Sequence, residues 1–251
     1  MMKMNKILLI QPPFLSPGFY RKDFFKSKTV QSPILPLGIA YLAAFIEKHG
    51  YQVRILDIHA QRLTEDEVIT RLRDYDYDIV GISALINQYS YTRWLAKTIK
   101  SLKDVPVIVG NGLATSSHMT ILEHIPECDL CVRGEGEFTL WELLKKFSHL
   151  STIEGITYRD SSGRIIINPD RKPHRDIDEF PEPAYNLFDV PFYSHAKLME
   201  TGIFNTRLRY QQHPTMPLIT ARGCPFQCTF CSKVIPGVRL RSVRSIVEEI
   251  N

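Results

Sequence analysis

Lys6-Ile7-Leu8-Leu9-Ile10-Gln11-Pro12-Pro13 is an apolar run that ends in a glutamine and two prolines. A run without apolar–polar alternation suits a strand covered on both faces, as in a parallel sheet. The prolines end it, because proline has no N–H to give to a ladder. Outward from this run, strand and helix alternate five times as far as about Leu150. The first helix carries Leu37, Ala40, Tyr41, Ala44 and Phe45 on one face and stops at Gly50. Val53 to Leu56 is the second strand, and Thr64 with Glu67 forms a capping box for the second helix. Asp78 to Ser83 is the third strand, with a helix around Thr92 to Leu102. Val105 to Val109 is the fourth, with a helix around Met119 to Ile125. Asp129 to Val132 is the fifth, followed by a helix with Leu140, Leu143, Leu144 and Phe147 on one face. The alternation predicts an α/β class: a Rossmann-like, flavodoxin-like, doubly wound parallel sheet of five strands.

Ligands of such sheets bind beyond the carboxyl ends of the strands. The loops there are Gln11-Pro12-Pro13, Ser83-Ala84-Leu85 with Asn87 and Gln88 just beyond, Gly110-Asn111-Gly112, and Arg133-Gly134-Glu135-Gly136-Glu137. Small residues and glycine at these places let a large planar or phosphate-bearing ligand approach the backbone. Gly110 and Gly112 do not make a dinucleotide fingerprint, since the third glycine and the first-strand position are both missing.

After Leu150 the character changes. Gly155 to Arg159 and Arg164 to Asn168 flank Asp160-Ser161-Ser162-Gly163, a hairpin signal. Asp176 to Pro183 is a linker rich in proline and acid, and Phe188 to Gln212 is aromatic and polar without a period. The expected division is residues 1–150, a hairpin and linker over 151–215, and a new unit over 216–251.

That last unit holds Ala221-Arg222-Gly223-Cys224-Pro225-Phe226-Gln227-Cys228-Thr229-Phe230-Cys231, with three of the chain's five cysteines at spacing C-x3-C-x2-C. Three thiolates on one loop can hold three irons of a [4Fe–4S] cluster and leave the fourth without a protein ligand. An open metal position is where a substrate can bind. Zinc is the competing reading, with His213 completing a Cys3His set, although no second knuckle follows. Leu218-Ile219-Thr220 reads as a short strand leading in. Ser242 to Ile250 reads as a helix capped by Ser242, with Ile246, Val247 and Ile250 on one face. One strand, one loop and one helix would be the first βα unit of a barrel. A full (β/α)8 barrel takes ~200 residues or more, so the expectation is the front part of a longer protein.

The cysteine loop, with its Arg-Gly-Cys-Pro opening and Phe230 before the last cysteine, resembles the cluster loop of the radical S-adenosylmethionine (SAM) enzymes. The preceding region resembles the cobalamin-binding domain of the B12-dependent radical SAM family. The matching pieces are the Pro-Pro loop after strand one, Pro36-Leu37-Gly38, the Asp-Ile-Val-Gly-Ile-Ser of strand three, and Arg133-Gly134-Glu135-Gly136-Glu137. The resemblance implies cobalamin, a [4Fe–4S] cluster and SAM as cofactors. It implies Cys224, Cys228 and Cys231 as cluster ligands and Phe230 near the adenine of SAM. Cobalamin contacts are implied for Gln11, Pro12, Pro13, Ser83, Ala84, Leu85, Asn87, Gln88, Gly110, Asn111, Gly112, Arg133, Gly134, Glu135 and Gly136. The activity implied is methyl transfer to an unactivated carbon through a 5′-deoxyadenosyl radical and methylcobalamin. A non-methylating cobalamin-dependent cyclase or oxidoreductase is the alternative. A third reading makes this chain a cobalamin-binding module that turns nothing over by itself. The partners implied are a small-molecule, lipid or natural-product substrate and an external electron donor such as flavodoxin or ferredoxin. No catalytic side chain is assigned.

Several residues invite other readings. Asp57-Ile58-His59 looks like the start of the Asp-x-His-x-x-Gly signature that ligates cobalt in methionine-synthase-like domains. Here it follows strand two, and Arg62 stands where the glycine should be, so the lower cobalt ligand is expected to be absent or water, and Asp57 to cap a loop. Cys128 and Cys131 lie on the fifth strand rather than at a helix start, where a thiolate would be activated, and read as structural. His118 and His124 read as ordinary surface or core histidines. The formal charge of +4 over 251 residues is spread along the chain and gives no case for nucleic-acid binding. No stretch approaches the ~18 apolar residues of a membrane span. The cysteine usage suits a reducing compartment, so the cytoplasm is the expected location.

Overall fold

The computed structural model describes residues 4–14, 34–194, 215–231, 235 and 237–251. His213, and the part of the aromatic stretch beyond residue 194, lie outside the described residues. Strands β1 (Lys6–Gln11), β2 (Gln52–Asp57), β3 (Ile79–Ser83), β4 (Val107–Gly110) and β5 (Leu130–Val132) are parallel, in the order β2-β1-β3-β4-β5. This is the flavodoxin-like order, whose direction of winding reverses between β1 and β3. The apolar run from Ile7 to Ile10 is buried because β1 has a strand on each side and a helical layer on each face.

The helices are α1 (Leu37–Lys48), α2 (Ile58–Gln61), α3 (Glu65–Asp74), α4 (Tyr89–Leu102), α5 (Asn111–His124) and α6 (Glu137–Lys146). Successive strand side chains point to opposite faces. Leu8 and Ile10 therefore join a core with Val68 of α3, Leu95 of α4 and Ile121 of α5. Ile7 and Leu9 join another with Ile39 of α1 and Leu143 of α6. Thr64 caps α3 as the sequence predicts: Glu67 N–H donates to Thr64 Oγ1 at 3.4 Å, and Thr64 N–H donates to Glu67 Oε2 at 2.8 Å. α5 starts at Asn111, directly on leaving β4, and loses helical geometry at Ser117 (φ −138°, ψ 27°). That break explains why its apolar period is legible only from about Met119 onward.

Two elements differ from the sequence expectation. The hairpin after Leu150, β6 (Ile156–Arg159) and β7 (Ile165–Ile167), pairs antiparallel onto β5 and extends the sheet to seven strands. Arg133 is buried beneath it. Its guanidinium donates to Ile156 O at 3.1 Å, Asn168 O at 2.5 Å and Asp170 Oδ1 at 3.0 Å, and also to Thr157 Oγ1. The second difference is at the cysteine loop. Leu218 to Thr220 forms no strand; Ile219 packs on the second core instead. The strand is β8 (Ala221–Cys224), paired antiparallel with β9 (Gly237–Leu240). Gly223 makes this ribbon possible, because its φ is +87° and a Cβ there would fall 2.0 Å from Gly237 O.

Beyond a short helix α7 (Val190–Ser194), α8 (Val243–Ile250) follows the ribbon and is capped by Ser242, whose Oγ accepts from Ser245 N–H at 3.1 Å. α8 docks through Glu249, which pairs with Arg241 and accepts from Tyr185 OH at 2.7 Å and Tyr41 OH at 3.2 Å. Burial, with the neighbouring Glu249 carboxylate, pushes Tyr41 up to about 12. Its other face, with Val243, Val247 and Ile250, is exposed.

Candidate functional site

A cleft of about 320 Å³ lies at the carboxyl ends of the parallel strands. Leu9, Ile108 and Val132 form its floor, on the face that also packs α1 and α6. Gly81 keeps that floor open, since a Cβ there would stand 2.9 Å from Leu9 Cδ2. Gly38 and Leu42 of α1 line one side, and Gly134, Glu135 and Gly136 another. A Cβ at Gly38, Gly110 or Gly134 would meet no atom within 4 Å, so these glycines border space that a ligand can use. Asn111 sits at the rim in a left-handed conformation (φ +69°), donating to Ser83 Oγ at 3.0 Å and accepting from Gly112 N–H at 2.6 Å. The amino end of α5 thus opens on the cleft.

The cysteine ribbon supplies the remaining wall, through Ile219, Ala221, Arg222, Gly223 and Ile235. Charge holds it there. Arg222 and Arg239 face each other across β8 and β9. Arg222 lies 2.7 Å from Glu137 and 3.3 Å from Glu135, and Arg239 grips both oxygens of Glu135 at 2.8 and 2.9 Å. The Arg222 guanidinium stacks 4.4 Å over the ring of Phe180. Burial would raise the Glu135 carboxyl, but the guanidiniums of Arg239 and Arg222 outweigh it and hold it below its ordinary value.

Six of the residues expected at the cofactor line the cleft: Ser83, Gly110, Asn111, Gly134, Glu135 and Gly136. The others do not. Gln88 is buried and ties two loops together, donating to Pro12 O at 2.6 Å and accepting from Leu85 N–H at 2.7 Å. Gln11 and Pro13 sit in or beside that junction, and Ala84 is buried in the core between them and α5. Leu85 and Asn87 are exposed near it, and Gly112 faces Leu85. Arg133 is turned into the sheet extension described above. The signal for Gly38 was Pro36-Leu37-Gly38. Leu42, Ile219 and Ile235 carry no local signal, because only the tertiary fold brings them to the cleft.

Cys224, Cys228 and Cys231 are exposed on one loop, with Cys231 N–H donating to Cys228 O at 3.2 Å, and Phe230 is 92% exposed. Three soft sulfur donors on one loop are the ligand chemistry of an iron–sulfur cluster. Among the described residues no three His, Cys, Asp or Glu side chains stand together as a metal site. His59 follows β2 and is outside the cleft lining; its Nδ1 is buried without a hydrogen-bond partner among the described residues, and its ring packs edge-on to Phe14 at 5.0 Å. Asp57 caps α2, accepting from Ala60 N–H at 2.9 Å, and also accepts from Tyr193 OH at 2.8 Å. Cys128 and Cys131 are buried, and the adjacent Cys131 together with burial pushes the Cys128 thiol up.

Residues 27–144 match the B12 binding domain family. The chain is 32% identical over 257 residues to the uncharacterised methyltransferase PH0819 of Pyrococcus horikoshii, which covers all of this chain and 50% of that protein. It is 28% identical over 227 residues to the anaerobic magnesium-protoporphyrin IX monomethyl ester cyclase of Rubrivivax gelatinosus, covering 86% of this chain and 38% of that enzyme. The structure of the cobalamin-dependent S-adenosylmethionine radical enzyme OxsB with aqua-cobalamin and S-adenosylmethionine bound superposes with a TM-score of 0.74 at 22% identity, over 99% of this chain and 31% of that one. The chain is thus similar over residues 27–144 to the B12 binding domain family, and as a whole it shares the fold of OxsB. It spans about half or less of the length of these relatives. Among the described residues no helix is long and apolar enough to cross a membrane.

Proposed function

We propose that this chain is the cofactor-carrying front part of a cobalamin-dependent radical SAM methyltransferase that methylates an unactivated carbon of a small-molecule, lipid or natural-product substrate. The observation that carries the reading is the shared wall. The strand that leads to Cys224 is also one side of a glycine-lined cleft at the switch point of a flavodoxin-like sheet. Bound cobalamin supplies a methyl group or an electron, and a bound cluster supplies the electron that opens SAM.

The chain's own residues hold and separate these groups. Cys224, Cys228 and Cys231 would ligate the cluster, with Phe230 against the adenine of SAM. Gly38, Gly110, Gly134 and Gly136 would admit cobalamin close to the backbone, while Leu9, Ile108 and Val132 exclude water from the floor. The amino end of α5 favours a phosphate. His59, outside the cleft lining, would take no part in holding cobalamin. Of the outlying candidates, the exposed Leu85 and Asn87 would meet the part of the cofactor that lies outside the cleft. An external flavodoxin or ferredoxin would provide electrons, in the cytoplasm, where the three thiols stay reduced.

The full-length protein, given SAM, cobalamin and a reductant, is expected to form 5′-deoxyadenosine and S-adenosylhomocysteine. Absence of 5′-deoxyadenosine would defeat the radical reading. Formation of 5′-deoxyadenosine without S-adenosylhomocysteine would favour the second reading, a non-methylating cyclase or oxidoreductase, which the resemblance to the monomethyl ester cyclase supports.

A further inference from the structure

The register of the cysteine ribbon creates an electrostatic problem. Arg222 and Arg239 are direct cross-strand partners, and two like charges in that position oppose pairing. A two-stranded ribbon is at best marginal alone. Both arginine side chains are nonetheless mostly buried, 12% and 13% exposed. What offsets their repulsion comes from a distant part of the chain. Glu135 and Glu137, 10% and 7% exposed, flank Gly136 where the loop after β5 enters α6; Arg222 pairs with both carboxylates and Arg239 with Glu135. Two positive and two negative charges are thereby buried together. The same loop borders the cleft through Gly134 and Gly136, and Cys224 lies at the end of the strand so held.

We propose that Glu135 and Glu137 are positioning residues for the cluster ligand Cys224: by neutralising the Arg222–Arg239 pair they seat the β8–β9 ribbon on the rim of the cofactor cleft, and they tie its order to occupancy of that cleft. The link to cobalamin rests on the function proposed above; the seating does not. Because seat and cleft share one loop, a ligand that orders the loop also orders the ribbon, and the coupling is reciprocal. Removing a carboxylate from this group leaves buried guanidinium charge uncompensated.

Amide hydrogen exchange of this chain tests the seat, with and without hydroxocobalamin. In Glu135→Gln, exchange across 221–224 and 237–240 is expected to rise roughly tenfold or more, with the amides of β1 and β3 unchanged. Adding Arg239→Met removes the like-charge partner that Glu135 neutralises, so the double variant is expected to regain most of the protection. A packing role for Glu135 would give no such rescue. Hydroxocobalamin is expected to slow ribbon exchange in the wild type and to do so less in Glu135→Gln. Ribbon exchange in Glu135→Gln equal to wild type, or no recovery in the double variant, would overturn the seat. A wild-type chain that bound no cobalamin but showed the variant difference and the rescue would refute the cofactor reading while supporting the seat.

Discussion

Gly38→Leu separates the cleft from the fold. Gly38 is the second residue of α1, borders the cleft, and would place its Cβ where no atom lies within 4 Å. The fold therefore gives up nothing to accommodate the side chain. Helix propensity favours the change by up to about 1 kcal/mol. A ligand in the cleft loses the space of about four carbon-sized groups, each worth ~0.8 kcal/mol when buried, which gives about 3 kcal/mol. That is a weakening of Kd by about two powers of ten. Thermal unfolding followed by circular dichroism should show a Tm equal to or above that of the wild type, and a visible-spectrum titration should show the loss of cobalamin affinity. A variant with raised Tm and undiminished cobalamin affinity would refute the placement of the ligand in this cleft.

Other perturbations bear on the supports of the site. Glu249→Ala leaves the Arg241 guanidinium, 6% exposed, without its buried carboxylate; a loss of about 3 kcal/mol or more in denaturant unfolding is expected, and less than 1 kcal/mol would show that this docking of α8 is not formed in solution. Glu135 is held below its ordinary 4.5, so its contribution to stability is complete above that pH and is lost as the pH falls through the lowered value. Unfolding free energy should thus fall more steeply below about pH 4.5 in the wild type than in Glu135→Gln, and parallel curves would contradict the charge assignment. His59→Ala should leave the spectrum of bound cobalamin unchanged, because His59 lies after β2 and outside the cleft; a shifted spectrum would make it a ligand.

The fold was legible where physics acts locally. The apolar run at β1 suited a doubly covered strand and is one, and Thr64 with Glu67 marked a helix start that needs no tertiary partner. The loop composition pointed to the carboxyl edge of the sheet, and Gly110, Gly134 and Gly136 do border a cleft there. What was hidden depended on distant pairing. Arg133 looked like a cofactor contact until β6 and β7 docked beside it and took up its guanidinium. The strand Ala221–Cys224 looked unlike a strand because glycine is poor β-forming material, and only the close approach of Gly237 reveals why glycine is required at Gly223. Nothing local announces that Arg222 faces Arg239; that is a matter of register.

The central claim is that this chain holds cobalamin in the cleft between the parallel sheet and the cysteine ribbon. A visible-spectrum titration of the wild-type chain with hydroxocobalamin tests it most directly, since it needs neither substrate nor reductant. Saturable binding at one equivalent, with the spectrum of cobalamin whose own base has left the metal, is the predicted result. A spectrum that remains that of free hydroxocobalamin throughout, with no saturation, would contradict it.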